Sequence, residues 1–201
     1  MRSLRGQKIV IATHNRGKLA EFAALLKPHG VEAVGAGALG LPEPAETENT
    51  FAGNARIKAL SAMKASGLIA VSDDSGLCVE ALDGAPGVHT ADWAGPDRDW
   101  NRAMRLVEEM LQARGATRPE QRRACFSCTL SVIWPDGGER LYEGRAQGTL
   151  VWPPRGVLGH GYDPMFVPDG GTRSFGELAP EEKNRISHRA RALEQLVRDL
   201  F

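Results

Sequence analysis

The feature that most constrains the fold is a pair of β-type runs near the middle of the chain. Residues 123–134 and 140–151 both have the composition and spacing of long strands. The segment between them begins Pro-Asp-Gly-Gly at positions 135–138, and these residues favour a tight turn. The sequence therefore predicts a β-hairpin here.

Elsewhere along the chain, some segments have apolar residues at the spacing of a strand and others at the spacing of a helix. Asn49 or Thr50 is placed to cap the second helical pattern. The predicted strands cover residues 8–13, 31–34, 68–72, 77–82 and 165–167, and the predicted helices cover residues 17–27, 51–63, 100–111 and 193–200. This mixture predicts the α/β class, in the form of a mixed α+β fold.

Composition and charge exclude several kinds of protein. The 201 residues are 42% apolar and 25% charged, as expected for one globular domain with a buried core. Lys and Arg together number 25, as do Asp and Glu, and this balance argues against bulk nucleic acid or a membrane as partner. Three cysteines make no disulfide framework, and no stretch is long enough for a signal-peptide core or a membrane span. We therefore expect a cytoplasmic protein.

Two short motifs match functional signatures but lack the context that those signatures need. Residues 35–40 read Gly-x-Gly-x-x-Gly, but the Leu-Pro-Glu-Pro that follows cannot begin the long helix of a dinucleotide site. Cys125 and Cys128 form a Cys-x-x-Cys pair in a β-type run, where residues three apart point to opposite faces. We interpret the first motif as a loop and the second as reduced cysteines.

Residues 13–18, Thr-His-Asn-Arg-Gly-Lys, lie between the first predicted strand and the first predicted helix. Backbone N–H groups at a helix N-terminus favour an anion, and the Lys18 ammonium adds a positive charge suited to a phosphate. Thr13 and Asn15 add side-chain donors. The same residues also fit a capped helix start with a solvated lysine, and the sequence leaves both interpretations open.

Residues 73–76, Asp-Asp-Ser-Gly, are predicted to form an acidic turn between two short strands. Adjacent carboxylates repel each other unless a cation or a proton relieves them, and their oxygens suit Mg²⁺. One of the two carboxylates, Asp73 or Asp74, could also accept a proton from water. Glu46 and Glu48, in the loop before the second helix, could supply a further ligand. A plain Asx turn beside solvated acids is the alternative.

Residues 159–164, Gly-His-Gly-Tyr-Asp-Pro, place glycines beside rings. Glycine lets backbone approach a flat ligand while a neighbouring ring stacks on that ligand. A Gly-rich turn entering a strand is the alternative interpretation.

Residues 180–189 begin with a proline, which fits the first turn of a helix. Ser187 can cap the helix that follows. Lys183, His188 and Arg189 would then cluster near a helix N-terminus and could bind an anion. A solvated charged face is the alternative.

Together and in this order, the motifs resemble the inosine triphosphate pyrophosphatase-like family, which acts on noncanonical purine nucleoside triphosphates. The similarity is strongest to its bacterial dITP/XTP pyrophosphatases. The resemblance rests on IATHNRGKLAEF (11–22), ETENTFAGNARIKA (46–59), SDDSGLCVEALDGAPGVHTADWAG (72–95), GHGYDPMFVP (159–168) and PEEKNRISHRARAL (180–193).

The resemblance implies an elongated mixed β-sheet flanked by helices, in one domain over residues 1–201 with two lobes and a central substrate cleft. It implies cleavage of dITP, ITP or XTP to the monophosphate and pyrophosphate, which removes deaminated purines from the nucleotide pool. It also implies Mg²⁺ as cofactor and a homodimer as the assembly.

The resemblance further implies roles for individual residues. Asp74 would be the catalytic proton acceptor, and Glu46 and Asp74 would bind the metal with Asp73 in support. The implied substrate contacts are Thr13, His14, Asn15, Arg16, Gly17, Lys18, Ser75, His160, Gly161, Tyr162, Asp163, Lys183, His188 and Arg189. The chain departs from the family pattern at His160, where many relatives carry Phe, so the stacking ring is polar.

Three other functions remain as alternatives. A Maf-type nucleotide pyrophosphatase would share the fold but prefer other bases, and residues 159–164 and 187–189 argue against it. A non-catalytic nucleotide-binding protein would have no need of the adjacent Asp73 and Asp74. A dinucleotide oxidoreductase would rest only on residues 35–40.

Overall fold

The computed structural model describes residues 2–201, apart from the side chain of Arg16. Within that range six strands and five α-helices are interspersed, which confirms the predicted mixed α/β class. The strands are β1 (Lys8–Ile11), β2 (Glu32–Gly35), β3 (Ile69–Val79), β4 (Arg123–Ile133), β5 (Glu139–Leu150) and β6 (Phe166–Pro168). The helices are α1 (Arg16–Leu26), α2 (Phe51–Ser66), α3 (Trp100–Ala113), α4 (Pro180–Ile186) and α5 (His188–Leu200). Among these described helices, none is both long and apolar enough to span a membrane.

The described strands form one six-stranded sheet in the order β2-β1-β3-β4-β5-β6. β1 is parallel to both of its neighbours, with Ile9 opposite Ala33 of β2 and Ile69 of β3. β6 is antiparallel to β5, with Phe166 opposite Leu150. Parallel and antiparallel pairs occur in one sheet, so the predicted mixed sheet is confirmed.

The predicted hairpin is present as β4 and β5, which are neighbours in the sheet. A hydrogen bond of 2.9 Å from the Trp134 N–H to the Gly138 carbonyl closes the turn. Gly137 adopts a φ of +86°, which glycine tolerates because it has no Cβ. The turn chemistry of the sequence therefore decides where these two strands meet.

Contacts within the chain divide it into two compact units. The first unit comprises residues up to Asp74, Thr129–Glu143 and Ala192–Phe201, and the second comprises Ser75–Cys128 and Gly144–Arg191. The core of the first unit includes small apolar residues such as Ala59 of α2 and Ala70 of β3. The core of the second unit includes larger ones, among them Val107, Phe126 and Phe166. Each unit thus buries apolar residues of its own.

β3 contradicts the prediction of two short strands around an acidic turn, because it runs unbroken from Ile69 to Val79. Asp, Ser and Gly favour turns when their side chains lie in water. Here each carboxylate is instead paired with a lysine, Asp73 with Lys18 and Asp74 with Lys58. The pairing offsets the cost of burying the two acids, and the strand continues through them.

Two predicted N-caps are present. The Thr50 hydroxyl accepts a hydrogen bond of 3.0 Å from the Gly53 N–H at the start of α2. The Ser187 hydroxyl accepts one of 3.2 Å from the Ala190 N–H at the start of α5. The glycine-rich segment forms only a short 3₁₀ turn, Ala36–Leu39, so the prediction that it begins no long helix is confirmed.

Candidate active site

Asp73 and Lys18 form one carboxylate–lysine contact of the first unit. The Lys18 Nζ lies 2.8 Å from Oδ2 of Asp73 and 3.0 Å from Oδ1. The Asp73 side chain is only 1% exposed, whereas that of Lys18 is 26% exposed. An ammonium group carries three donors, so contact with Asp73 positions Lys18 and leaves it able to bind an anion.

Lys58 bridges two further carboxylates of the same unit. Its Nζ lies 3.0 Å from Oδ1 of Asp74 and 2.6 Å from Oε1 of Glu46. Nearby, the Ser72 hydroxyl donates a hydrogen bond of 2.5 Å to the Ala55 carbonyl, which ties β3 to α2. These contacts hold Glu46, which lies in the loop before α2, beside the acidic part of β3.

Burial and charge act in opposite directions on Asp74. Burial raises its pKa, and the attraction of Lys58 offsets only part of this effect, so the pKa rises from 3.8 to about 6. Burial by itself lowers the pKa of Lys58, but attraction from Asp74, Asp73 and Glu46 outweighs it, and the pKa is raised. Lys58 therefore stays charged at neutral pH, and Asp74 is a carboxylate poised to take up a proton.

The second carboxylate oxygen of Asp74, Oδ2, is buried and accepts no hydrogen bond. Such an oxygen needs a cation or a proton. The carboxylates of Glu46, Asp73 and Asp74 face two ammonium groups, which leaves the cluster one net negative charge. No three His, Cys, Asp or Glu side chains among the described residues are grouped to bind a metal unaided. The residues therefore fit Mg²⁺, which takes one or two carboxylates and completes its shell with substrate oxygens and water.

The segment before α1 caps its helix. Oδ1 of Asn15 accepts hydrogen bonds of 2.9 Å from the Gly17 N–H and 3.1 Å from the Lys18 N–H. The Thr13 hydroxyl accepts one of 3.1 Å from the Asn15 N–H, and Nε2 of His14 lies 2.9 Å from a loop carbonyl oxygen. The cap of this helix start is therefore confirmed, but the solvated lysine of that interpretation is wrong, because Lys18 pairs with Asp73. The donors that remain for a ligand include the Asn15 amide nitrogen and the Lys18 ammonium.

In the second unit, Asp163 organises the Gly-rich loop before β6. Its Oδ2 accepts hydrogen bonds of 2.6 Å from the His160 N–H and 2.5 Å from the Lys183 Nζ. Gly159 has a φ of +78°, and a Cβ there would lie only 2.1 Å from that same oxygen. Glycine is thus required at position 159 because the backbone passes close to the carboxylate.

Aromatic rings pack around this loop. The ring of Trp100, at the start of α3, makes edge contacts with His160 at 4.9 Å and Tyr162 at 5.7 Å between centroids. Tyr162 is buried, and its hydroxyl donates a hydrogen bond of 3.1 Å to the Thr90 carbonyl. Burial raises the pKa of Tyr162, so the hydroxyl remains a donor. The loop therefore presents the exposed His160 ring against a fixed aromatic support.

The other predicted substrate residues lie in several places. His188 is buried and stacks on Phe126 at 5.0 Å, and Arg189 follows it in the first turn of α5. Ser75 is half-buried on β3 directly after Asp74, and Gly161 lies against the Trp100 ring. The side chain of Arg16 lies outside the described part of the chain.

The structure therefore brings the predicted residues together in two groups, one in each unit. Asp73, Asp74, Glu46 and Lys18 share one cluster, and Asp163, His160 and Lys183 share the other.

Sequence reasoning missed Lys58 and assigned Trp100 only to a helix core. Lys58 lies three and four positions from Ala55 and Ala62, both of which are buried on the same face of α2. A lysine on an apolar helix face is almost never buried without a partner, and that pattern could have indicated a paired acid. For Trp100, no comparable signal exists, because its contacts come from a loop sixty positions away.

Together, the mixed α/β fold and its buried carboxylate–lysine cluster define an α/β protein with a site suited to a phosphate-bearing ligand and a divalent cation. The chain belongs to the Ham1 family, which it matches over residues 9–199. The family resemblance drawn from the motifs is thereby confirmed.

Several relatives and solved structures are similar over nearly the whole chain. A dITP/XTP pyrophosphatase of Ruegeria pomeroyi is 56% identical, over 100% of this chain and 98% of that protein. One of Bradyrhizobium diazoefficiens is 56% identical, over 94% of this chain and 93% of that protein. The structure of a HAM1 protein from Coxiella burnetii matches with a TM-score of 0.90 and 37% identity, covering 96% of this chain and 98% of that one. A nucleoside-triphosphatase, dITP/XTP pyrophosphatase, from Mycobacterium abscessus matches with a TM-score of 0.77 and 42% identity, covering 94% and 98%. These similarities do not favour the Maf-type alternative.

Proposed function

We propose that this protein hydrolyses noncanonical purine nucleoside triphosphates, dITP, ITP and XTP, to the monophosphate and pyrophosphate. The observation that carries the proposal is 56% identity, over the full chain, to a relative named dITP/XTP pyrophosphatase. The carboxylate–lysine cluster of Asp73, Asp74, Lys18 and Lys58 supplies groups suited to this chemistry. The reaction removes deaminated purines from the nucleotide pool.

The proposed reaction is an in-line attack of water on the α-phosphorus. Asp74 accepts the proton of that water at Oδ2, the oxygen that accepts no hydrogen bond within the protein. Lys58 donates to Oδ1 and holds the carboxylate in one orientation. Lys18, positioned by Asp73, contacts the polyphosphate and offsets the charge that develops on the leaving group.

Mg²⁺ is the proposed cofactor, with Glu46 and Asp74 as its protein ligands and Asp73 in support. The bound ion would supply positive charge to the polyphosphate and to its leaving group. Support comes from the net negative charge of the cluster, which would otherwise repel a triphosphate.

The Gly-rich loop of the second unit is the proposed binding site for the base. His160 to Asp163 would surround the purine, with Lys183, His188 and Arg189 completing the pocket. Hydrogen-bond donors directed at a 6-oxo group would find no acceptor in the 6-amino group of adenine. The unpaired donors would lower the affinity of the site for ATP. The exposed ring of His160, supported by Trp100, is the group suited to stack on the base.

We further propose that the protein is a homodimer and that it is located in the cytoplasm. The family resemblance supports the dimer, and a cysteine content too low for a disulfide framework supports the location. Sedimentation velocity of the full chain would test the dimer, and a single species with the mass of one chain would contradict it.

The decisive experiment is a pyrophosphate-release assay across dITP, XTP, ITP, ATP, dTTP and UTP, each with Mg²⁺ and with EDTA. We expect rapid release from the deaminated purines, at least tenfold slower release from the other triphosphates, and none in EDTA. Preference for dTTP or UTP would point to Maf-type chemistry. Tight binding of dITP without pyrophosphate release would indicate a non-catalytic nucleotide-binding protein.

A further inference from the structure

Trp100 packs against three consecutive residues of the Gly-rich loop. The centroid of its indole lies 4.9 Å from that of the His160 ring and 5.7 Å from that of the Tyr162 ring, at interplanar angles of 72° and 71°. A Cβ placed on Gly161, between the two rings, would lie 3.6 Å from Cε3 and Cζ3 of Trp100. One side chain from the start of α3 therefore lies against the whole segment 160–162.

The backbone of this loop has little stiffness of its own. Gly159 and Gly161, on either side of His160, have φ angles of +78° and +68°, and glycine has the widest range of backbone conformations. The hydrogen bond from the His160 N–H to Asp163 fixes one backbone group, but it does not set the direction of the imidazole ring. The contact with Trp100 restrains that ring. Because the indole is nearly perpendicular to the imidazole, it does not itself occupy the parallel stacking position that a base requires.

The indole N–H indicates that core packing alone does not explain a tryptophan at position 100. Nε1 of Trp100 is buried and has no hydrogen-bond partner among the described residues, and a buried donor without an acceptor lowers stability. A phenylalanine would pack against the same core without that cost. However, the atoms nearest to Gly161, Cε3 and Cζ3, belong to the outer ring of the indole, which phenylalanine lacks. Trp100 therefore reaches the loop with atoms that a smaller aromatic residue could not place there.

We propose that Trp100 is a positioning residue for recognition of the purine, and that it holds the His160 ring and the segment 160–162 in the conformation that binds the base. The inference rests on the proposed function and adds a residue of α3 to the base site. A loop that is already ordered loses less conformational freedom when the ligand binds. Trp100 should therefore strengthen the binding of substrate and transition state alike, so that its loss raises KM and leaves kcat nearly unchanged.

The test compares Trp100→Phe with the wild type by steady-state hydrolysis of dITP, by calorimetric titration with IMP, and by urea unfolding. We expect KM for dITP and Kd for IMP to rise about tenfold, with kcat within about twofold of the wild type. The unfolding midpoint should stay close to that of the wild type, because removal of the unpaired N–H offsets the smaller buried ring. A purely structural role would instead change the midpoint and leave KM unchanged.

Trp93→Phe is the matched control, because Trp93 lies in the turn Asp92–Ala94 and packs against the same core of the second unit. This variant should keep KM within about twofold of the wild-type value. Hydrogen–deuterium exchange of the nucleotide-free protein, followed by mass spectrometry, adds a measurement that does not depend on hydrolysis. A peptide that contains residues 159–163 should exchange faster in Trp100→Phe than in the wild type or in Trp93→Phe.

A folded Trp100→Phe variant with wild-type KM, IMP affinity and loop exchange would overturn the proposal, as would an equal rise in KM in the two variants. The outcome is separable from that of the proposed hydrolysis. If the wild type releases no pyrophosphate but binds IMP more tightly than Trp100→Phe does, the hydrolysis is wrong and the role of Trp100 is confirmed. If the wild type hydrolyses dITP and Trp100→Phe has the same KM, the hydrolysis is confirmed and the role of Trp100 is wrong.

Discussion

The Lys58 ammonium lies 3.0 Å from Oδ1 of Asp74, and the two side chains are only 8% and 10% exposed. A buried ion pair seldom adds net stability, because desolvation of both charges cancels most of the attraction. The pair therefore indicates that function requires a carboxylate at this position. Lys58 orients that carboxylate and, by its charge, favours the ionised form of Asp74. The first predictions follow from this relationship.

Replacing Asp74 by Asn should abolish turnover of dITP while leaving the fold intact. Asn keeps the oxygen that accepts from Lys58 but cannot take the proton of the attacking water, so kcat should fall by roughly 10²–10⁴-fold. Steady-state pyrophosphate release measures this. Asp169→Asn, which only breaks an exposed pair with Arg123, is the control and should match the wild type. Near-normal turnover by Asp74→Asn would end the proposed mechanism.

Replacing Lys58 by Met should destabilise the protein strongly at neutral pH. The change leaves Asp74 buried without its cation, and breaking a buried pair from one side costs about 3–5 kcal/mol. Arg56→Met is the matched control on the same helix, because Arg56 is 56% exposed and pairs with Glu139 at the surface. Urea unfolding at pH 7.5 compares the two. Equal losses would show that Lys58 contributes no more than a surface cation.

The pH dependence of stability should carry the signature of Asp74 when divalent ions are removed with EDTA. Its folded pKa, raised from 3.8 to about 6, means that the folded state binds the proton more tightly than the unfolded chain does. The stabilisation is therefore complete below pH 3.8 and is lost as the pH rises through 6, by about 3 kcal/mol.

The measurement for this prediction is the difference in unfolding free energy between wild type and Asp74→Asn at several pH values. The wild type should lose stability relative to the variant between pH 4 and 7, and Mg²⁺ should restore part of the loss by pairing with the ionised carboxylate. A difference that stays flat across this range would contradict the raised pKa.

A second buried pair, Arg122 with Glu108, should make the second unit sensitive to the loss of either partner. The two side chains are 7% and 9% exposed and approach to 2.5 Å. Burial by itself raises the pKa of Glu108, but hydrogen bonds from Arg122 and Gln112 outweigh it and lower the pKa below 4.5. Arg122→Met should cost about 3–5 kcal/mol at pH 7.

Because the folded pKa of Glu108 is depressed, the contribution of this pair is present above pH 4.5 and is lost as the pH falls through the lower folded value. The cost of Arg122→Met should therefore shrink in acid. Arg173→Met, in an exposed pair with Glu182, should cost no more than about 1 kcal/mol. A similar, pH-independent cost for both variants would contradict the assignment.

Replacing Gly159 by Ala should weaken substrate binding, in addition to the stability cost of an alanine at positive φ. The new Cβ would lie 2.1 Å from Oδ2 of Asp163 and push that carboxylate away from the His160 N–H and Lys183. We expect KM for dITP to rise about tenfold or more, on the order of 1.4 kcal/mol, with a smaller change in kcat. Gly170→Ala is the control, since Gly170 has the same φ of +78° but open space around it. Equal kinetics in the two variants would exclude a role for Asp163 in the site.

Much of the fold follows from local pattern. Turn chemistry at 135–138 predicts the hairpin, and apolar spacing in 100–111 predicts α3 together with its buried face. Thr50 and Ser187 predict helix starts, because a hydroxyl can accept a hydrogen bond from a backbone N–H three positions further along the chain. This bond does not depend on distant parts of the chain. Such features depend on residues that are only a few positions apart, so they can be predicted directly from the sequence.

The acidic segment is where local reasoning failed. Asp-Asp-Ser-Gly carries every local signal of a turn, yet it lies inside β3. The groups that allow this are Lys18, 55 positions from Asp73, and Lys58, 16 positions from Asp74. Local propensity takes no account of charged side chains that two separate helices bring to the strand.

The sequence by itself determined the family, the chemical types available for catalysis, and most helix and strand positions, because motifs and periodicity are properties of neighbouring residues. The tertiary structure decided which charges meet: that Lys58 is buried between Asp74 and Glu46, and that Asp74 keeps one oxygen without a hydrogen bond. These facts depend on burial and on the distances between elements that are far apart in the chain. The interaction energy of two charges is largest where water is excluded, and the sequence does not state which charges lie there.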